Sequence, residues 1–85
     1  MTIRLVYFAW VREKIGRAEE TVTLPADVAT IADLVAWLIS RGPEYQSAFA
    51  RANVVRAAID QTHVKATVPI AGARESAFFP PVTGG

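Results

Sequence analysis

The sequence closes on Ala77-Phe78-Phe79-Pro80-Pro81-Val82-Thr83-Gly84-Gly85, and this run holds most of the chemistry the chain can offer. Glycine has no Cβ, so Gly85 is the narrowest end a chain can present, and Gly84 before it lets the backbone thread a channel that a side chain would block. The reactive group is then the backbone α-carboxylate of Gly85. A carboxylate is a poor electrophile because oxide is a poor leaving group. Joined to adenylate from ATP, the same carbonyl gains a good leaving group and can accept a sulfur nucleophile. Gly85 can in this way carry sulfur as a thiocarboxylate although the sequence has no cysteine. Pro80 and Pro81 fix φ beforehand. They reduce the ordering cost of holding the tail extended, about 1–2 kcal/mol per residue, and leave it concentrated in Val82, Thr83, Gly84 and Gly85. A frayed terminus is the plainer alternative, and the stiff Phe-Phe-Pro-Pro approach argues against it.

The remaining inventory is thin. His63 is the only histidine, and no spacing of His, Asp or Glu marks a metal site, so no metal ligand is assigned. Ser40, Ser47 and Ser76 lack nucleophile-elbow surroundings, and Gly16, Gly42 and Gly72 stand singly instead of forming a phosphate loop. An enzyme acting alone is disfavoured, and no intrinsically bound cofactor is expected. Nine Lys and Arg against eight Asp and Glu leave a net charge of +1, which gives no reason to expect a nucleic-acid or membrane partner. Arg12, Lys14 and Arg17 make a small basic patch. Lys14 and Arg17 read as a solvated loop, and Arg12 as a contact to an acidic patch on a partner.

The elements that must position this tail follow from size and pattern. Eighty-five residues make one domain that buries about 60–65% of its unfolded surface, and 52% hydrophobic against 20% charged residues is the composition of an ordered domain. The opening run has no signal-peptide pattern, and no segment reaches the roughly 20 apolar residues of a spanning helix, so a cytoplasmic protein is expected. Residues 2–9 and 20–24 read as a strand pair, with a loop or short helical turn from Trp10 to Gly16 between them. Ile31, Leu34, Val35, Leu38 and Ile39 recur at helical spacing behind a Thr30 N-cap with Asp33, and Gly42-Pro43 ends the run. Trp37 lies beside this stripe and is read as covering the core edge. Pro43–Arg51 is weakly helical, presenting Tyr45 and Phe49 to the core. Further strands are expected at 54–59, 63–65 and 76–79, the last kept extended by Pro80. In that strand Phe78 and Phe79 must face opposite ways, one into the core and one toward a partner's apolar pocket. The order predicts an α+β fold with a mixed sheet of four or five strands over one main helix, a domain over residues 1–81 and a tail over 82–85.

The terminal Phe-Phe-Pro-Pro-Val-Thr-Gly-Gly, together with the opening Leu5-Val-Tyr-Phe-Ala-Trp-Val-Arg-Glu13, resembles the small subunits of molybdopterin synthase, which are ubiquitin-like β-grasp sulfur carriers. The likeness covers essentially the whole chain. It implies that Gly85 is adenylated with ATP by an E1-like activating enzyme and thiocarboxylated by a sulfur donor. It implies further that the tail enters the large synthase subunit and gives sulfur to cyclic pyranopterin monophosphate, within a heterotetramer. On this resemblance Gly85 bears the sulfur, Gly84, Thr83 and Val82 fit the channel, Phe78, Phe79, Pro80 and Pro81 form the approach, and Phe8 with Arg12 meets the partner. The family's Gly-Asp-Glu turn before the last strand is replaced by Ala73, Arg74 and Glu75, with the glycine displaced to Gly72, and Thr83 stands where serine is common. A sulfur carrier for thiamine or tRNA thiolation would share activation at Gly85. A non-covalent interaction module would not.

Overall fold

The structure is a computed structural model that describes residues 1–81; the expected tail, Val82 to Gly85, lies outside the described residues. The chain forms β1 (Thr2–Tyr7), α1 (Ala9–Ile15), β2 (Glu19–Thr23), α2 (Ile31–Ile39), α3 (Pro43–Ala48), β3 (Arg56–Ile59), β4 (Thr62–Val64) and β5 (Glu75–Phe79). The strands make one five-stranded sheet in the order β2-β1-β5-β3-β4. β1 and β5 run parallel at its centre, and the other neighbours are antiparallel. This is the mixed sheet over one main helix expected from the element order and the ubiquitin-like β-grasp implied by the resemblance, with two short helices beside the main one.

Alternation decides which face of each strand is buried. Ile3, Leu5 and Tyr7 of β1, Val22 of β2, Ala57 of β3 and Phe78 of β5 are buried with Leu34 and Leu38 of α2 and with Tyr45 and Phe49 from the α3 region. Phe78 is at the middle of this core, with Tyr7 stacked on it at 6.2 Å and Phe49 edge-on at 5.3 Å. Such aromatic pairs add about 0.5–1.5 kcal/mol each beyond the area they bury. Trp37 packs against the core edge with the Arg41 guanidinium 5.1 Å from its ring centre.

Local chemistry sets the boundaries. Val11 and Ile15, four residues apart and both buried, give α1 an apolar edge, and Gly16 closes it with a left-handed φ of 86°. The segment from Trp10 to Ile15, expected as a loop or single turn, is therefore a helix of seven residues counting Ala9. At α2 the capping box is complete: Asp33 N–H donates to Thr30 Oγ1 at 3.2 Å, while Asp33 Oδ2 accepts from Thr30 N–H and from Ala29 N–H, both at 3.1 Å. The short aspartate reaches back as far as a glutamate would, and these backbone donors hold its carboxyl below the usual aspartate range.

Two turns differ from their expected form. Val54 and Val55 lie in a turn, Val54 N–H donating to Arg51 O and Val55 N–H to Ala52 O, so β3 begins at Arg56. Before β5, Gly72 supplies a φ of 80° in the turn closed by Ala73 N–H on Ile70 O. The carboxylate at that corner comes from elsewhere: Asp60 Oδ1, in the β3–β4 turn, accepts from Arg74 N–H at 3.1 Å and Glu75 N–H at 3.0 Å.

A polar knot closes the side of the core beneath β2. The Glu20 side chain is 8% exposed. Its Oε2 accepts from Tyr45 Oη at 2.6 Å and Tyr7 Oη at 2.7 Å, and its Oε1 from Arg41 at 2.9 Å and Arg17 at 3.2 Å. Burial pushes this carboxyl upward, but the bonds from Tyr45, Tyr7 and Arg41 outweigh it and hold the pKa below its ordinary 4.5. The Tyr45 phenol is pushed up to about 12, first by burial and then by its bond to Glu20. Because the folded pKa of Glu20 is depressed, its contribution is fully present above the unfolded carboxyl pKa and is lost as pH falls through the folded value. Glu20→Gln removes that charge and leaves Arg41 facing a neutral amide. It is expected to cost about 2 kcal/mol, or roughly 10 °C of melting temperature for a domain of this size, and to reduce the loss of stability between about pH 5 and 3, as read by thermal melts against pH.

Candidate functional site

β1 and β5 are parallel, so both strands finish at the same edge of the sheet, and Phe8 N–H continues the ladder by donating to Phe78 O at 3.0 Å. Phe8, Phe79 and the root of the tail thereby meet at one corner. All three helices pack on the Phe78 face. The opposite face carries Arg4 and Val6 from β1, Phe8 just after it, Glu75, Ala77 and Phe79 from β5, Ala58 from β3 and His63 from β4.

That open face is divided along the strands. Away from the tail, Arg4 pairs with Glu19 and, at 3.7 Å, with Glu75. Exposed pairs like these contribute about 0–1 kcal/mol each and mainly set polarity. Toward the tail the surface is apolar. Phe8 is 49% exposed, one of two large apolar side chains so exposed among the described residues. Phe79 stacks obliquely on His63 with ring centres 5.0 Å apart. Between the two phenylalanines, Ala58 and Ala77 leave a shallow concavity of about 510 Å³. An exposed aromatic pair around small residues, rimmed by Gln61, His63 and Glu75, is the composition of a protein-docking surface.

Backbone geometry directs Phe8 there. Ala9 has φ 52°, a conformation that non-glycine residues avoid. The chain turns sharply at this point, Phe8 O accepts from Val11 N–H at 3.1 Å and Arg12 N–H at 3.3 Å, and α1 folds back toward the core while Phe8 remains on the open face. This is why the first strand stops at Tyr7 and does not run to residue 9.

The root of the tail is held on the protein. Pro80 and Pro81 are half-buried and line a cleft of about 460 Å³ with Trp10 and Lys14 of α1 and with Arg51 and Val54 of the segment after α3. No carboxylate among the described residues lines this cleft. Lys14, read from sequence as a solvated loop residue, is thus beside the tail's exit, whereas Arg17 pairs with Glu20. Arg12 is exposed on α1 and makes no ion pair among the described residues.

Of the residues expected to meet a partner, Phe8 and Phe79 share the open face, Arg12 lies on the neighbouring helix, and Pro80 and Pro81 lead out between α1 and Arg51. Phe78 does not join them: at 1% exposure it is a core residue that anchors the strand from within. Gly85, Gly84, Thr83 and Val82 lie outside the described residues. Trp10, Arg51 and Val54 were not assigned to the site from the sequence, and Lys14 was read there as a solvated loop residue, because the cleft is built from two segments that only the fold brings together. No group of His, Cys, Asp and Glu among the described residues is arranged to hold a metal ion. No helix among them is long and apolar enough to cross a membrane.

Comparison with known proteins identifies what this corner belongs to. Residues 5–85 match the ThiS family. The chain belongs to that family of ubiquitin-like sulfur carriers. It is 34% identical over 83 residues to the molybdopterin synthase sulfur carrier subunit of Escherichia coli (strain K12), covering 98% of this chain and 99% of that protein. Among solved structures it is similar to SAMP1 from Haloferax volcanii, with a TM-score of 0.76 and 24% identity over the full length of both chains. It is also similar to a chain in the protein–protein complex of subunits 1 and 2 of molybdopterin-converting factor from Helicobacter pylori, with a TM-score of 0.64 and 16% identity, again over both full lengths. These structural likenesses establish the fold, and the family match establishes the sulfur-carrier role.

Three substitutions separate the parts. Ala9→Gly is expected to raise stability by about 0.5–1 kcal/mol in denaturant melts, since glycine adopts φ 52° without the Cβ penalty. Phe78→Ala is expected to cost about 3–5 kcal/mol of stability, whereas Phe8→Ser should change the melting midpoint little, because half of that ring already faces water.

Proposed function

We propose that this carrier is the sulfur-donating subunit of a molybdopterin synthase, bearing sulfur on the α-carboxylate of Gly85 and delivering it to cyclic pyranopterin monophosphate in a large catalytic subunit. The observation that carries this reading is the match to the Escherichia coli sulfur carrier subunit over 98% of this chain, beside a ThiS family match that runs through Gly84 and Gly85. In this account an E1-like enzyme joins the Gly85 carboxylate to AMP from ATP, and pyrophosphate leaves. A sulfur donor then supplies the nucleophile, the carbon–sulfur bond forms, the carbonyl–adenylate bond breaks and AMP departs. After transfer to the pterin, water supplies the oxygen that restores the carboxylate. The chain brings the sulfur atom, and the large subunit brings the pterin pocket and the acid–base groups, so the carrier is not catalytic alone. Two carriers at the ends of a large-subunit dimer make the heterotetramer, in the cytoplasm.

Energetics assign the open face its part in this proposal. Ordering the last four residues in a channel costs about 4–8 kcal/mol at 1–2 kcal/mol each. Phe8 and Phe79 begin partly exposed and gain roughly 1 kcal/mol each on burial. The apolar corner therefore offsets only part of the cost, and backbone contacts to Gly84 and Thr83 in the channel must supply the rest. Pro80 and Pro81, already packed against α1, add no further ordering. The same face then meets the activating enzyme and the synthase in turn, with Arg12, Lys14 and Arg51 steering both encounters.

Incubation with ATP, the activating enzyme and a sulfur donor is expected to replace one oxygen by sulfur, localised to Gly85 by C-terminal fragment masses. An unchanged mass beside a control carrier that is converted overturns the proposal, and so does undiminished activation of a chain extended by one residue past Gly85. Adding the large subunit and the pterin precursor is expected to yield molybdopterin. Sulfur appearing only in a thiazole or in tRNA would assign the carrier to thiamine synthesis or tRNA thiolation instead.

A further inference from the structure

A second concavity lies on the helix side of the sheet, away from the corner just described. It opens between α2 and the β3–β4 hairpin and encloses about 380 Å³. Ile31, Ala32 and Val35 form one wall, and Ala57 and Val64 the other. Its lining is mostly apolar because the side chains there are short: larger residues at Ala32, Ala57 or Ala66 would close it. Val35, Val55 and Val64 remain half-buried, so the apolar surface is incompletely covered by the chain itself.

Two further features define what fits. Arg56 and Lys65 line the cleft, no Asp or Glu does, and neither cation makes an ion pair among the described residues. Beside it runs β4, the outermost strand of the sheet. The hairpin register pairs Ile59 with Thr62 across a two-residue turn, Asp60 and Gln61, both at positive φ. In such a hairpin the pair flanking the turn exchanges both hydrogen bonds, so Thr62 and Val64 bond inward to β3 while the backbone N–H and C=O of His63 point away from the sheet. An apolar trough, an unpaired strand edge and unopposed cations thus run side by side.

We propose that this cleft is a second docking site, which takes an extended peptide segment of a partner protein, apolar side chains entering the trough and carboxylates following against Arg56 and Lys65. The segment adds to β4 through the His63 backbone, and alternate side chains fall between the strand and α2. Val64 and Ala57 face the trough while His63 and Ala58 face the open side, so the apolar walls of the two surfaces lie on opposite faces of the sheet, with Arg56, cross-strand from Phe79, at the margin between them. A carrier held here by one protein keeps its Phe8–Phe79 corner available to another. The inference rests on the fold and the charges, and it stands whether or not Gly85 is thiolated.

The full chain, labelled with 15N, is titrated with the synthetic peptide acetyl-Val-Ile-Val-Ile-Glu-Glu-Glu-amide and followed by amide chemical shifts and hydrogen exchange. Shifts centred on Ala32, Val35, Val55, Val64 and Lys65 are expected, with slowed exchange of the His63 amide. Lys65→Glu and Ala32→Trp, both at exposed positions where folding is retained, are each expected to weaken binding about tenfold, as is replacing the peptide's glutamates by lysines. Thr21→Glu on the far edge strand should leave it unchanged. Absence of shifts at millimolar peptide, equal binding of the acidic and basic peptides, or shifts centred on Phe8 and Phe79 would overturn the proposal. So would octanoate producing the same shifts without His63 protection, which would make the cleft a small-molecule pocket.

Discussion

Successive residues of a strand cannot face the same way, and at Phe78 and Phe79 this constraint joins the interior of the protein to its working surface. Phe78 is gripped between Tyr7 and Phe49, so β5 cannot slip by one residue without exchanging a core aromatic for an exposed one. With that register set, Phe79 must stand on the open face beside Phe8 and His63, and Pro80 must follow at the sheet edge. The parallel pairing of β1 with β5 brings Phe8 to the same edge. A docking surface and a tail exit thus arise from one buried ring and the alternation it enforces.

Charge is used differently in different parts of the molecule. Glu20 is buried and fully engaged, with four donors tying β1, β2, the end of α2 and α3 into one unit. Removing its charge is costly because the groups around it would be left unpaired in a site with little water. Arg4 with Glu19 and Glu75 is exposed, contributes little to stability and marks where the apolar part of the open face ends. Lys14, Arg51, Arg56 and Lys65 have no carboxylate among the described residues in the clefts they line. A net charge of +1 conceals this local segregation.

On the proposals made above, the two faces of the sheet carry distinct tasks. The open side presents the aromatic corner next to the tail, suited to a partner that must receive the chain's end. The helix side presents the trough along β4, which has the composition for an apolar and acidic segment. A carrier that visits more than one enzyme with one end gains from a surface that does not compete with that end, because the second contact raises the effective concentration of the first.

Much of this was readable from the residues alone. Period-2 alternation located β1 and β2, Pro80 marked the extended segment of β5, the Thr30–Asp33 box and the Ile31–Ile39 stripe located α2, and the opposite orientations of Phe78 and Phe79 follow from strand geometry without any coordinates. The terminal Gly84-Gly85 after two prolines carries the family resemblance, and the carboxylate chemistry read from it belongs to the proposed function. These are local properties, determined by residue type and spacing within a few positions. Tertiary structure alone decided which phenylalanine is core and which is surface, that Ala9 turns at positive φ to leave Phe8 outside, and that Glu20 is a buried hub instead of a solvated acid. It also decided that Trp10 and Lys14 meet Arg51 and Val54 around Pro80 and Pro81. Each of those outcomes depends on contacts between segments far apart in the chain, and no pattern within one segment records which distant neighbour it will meet.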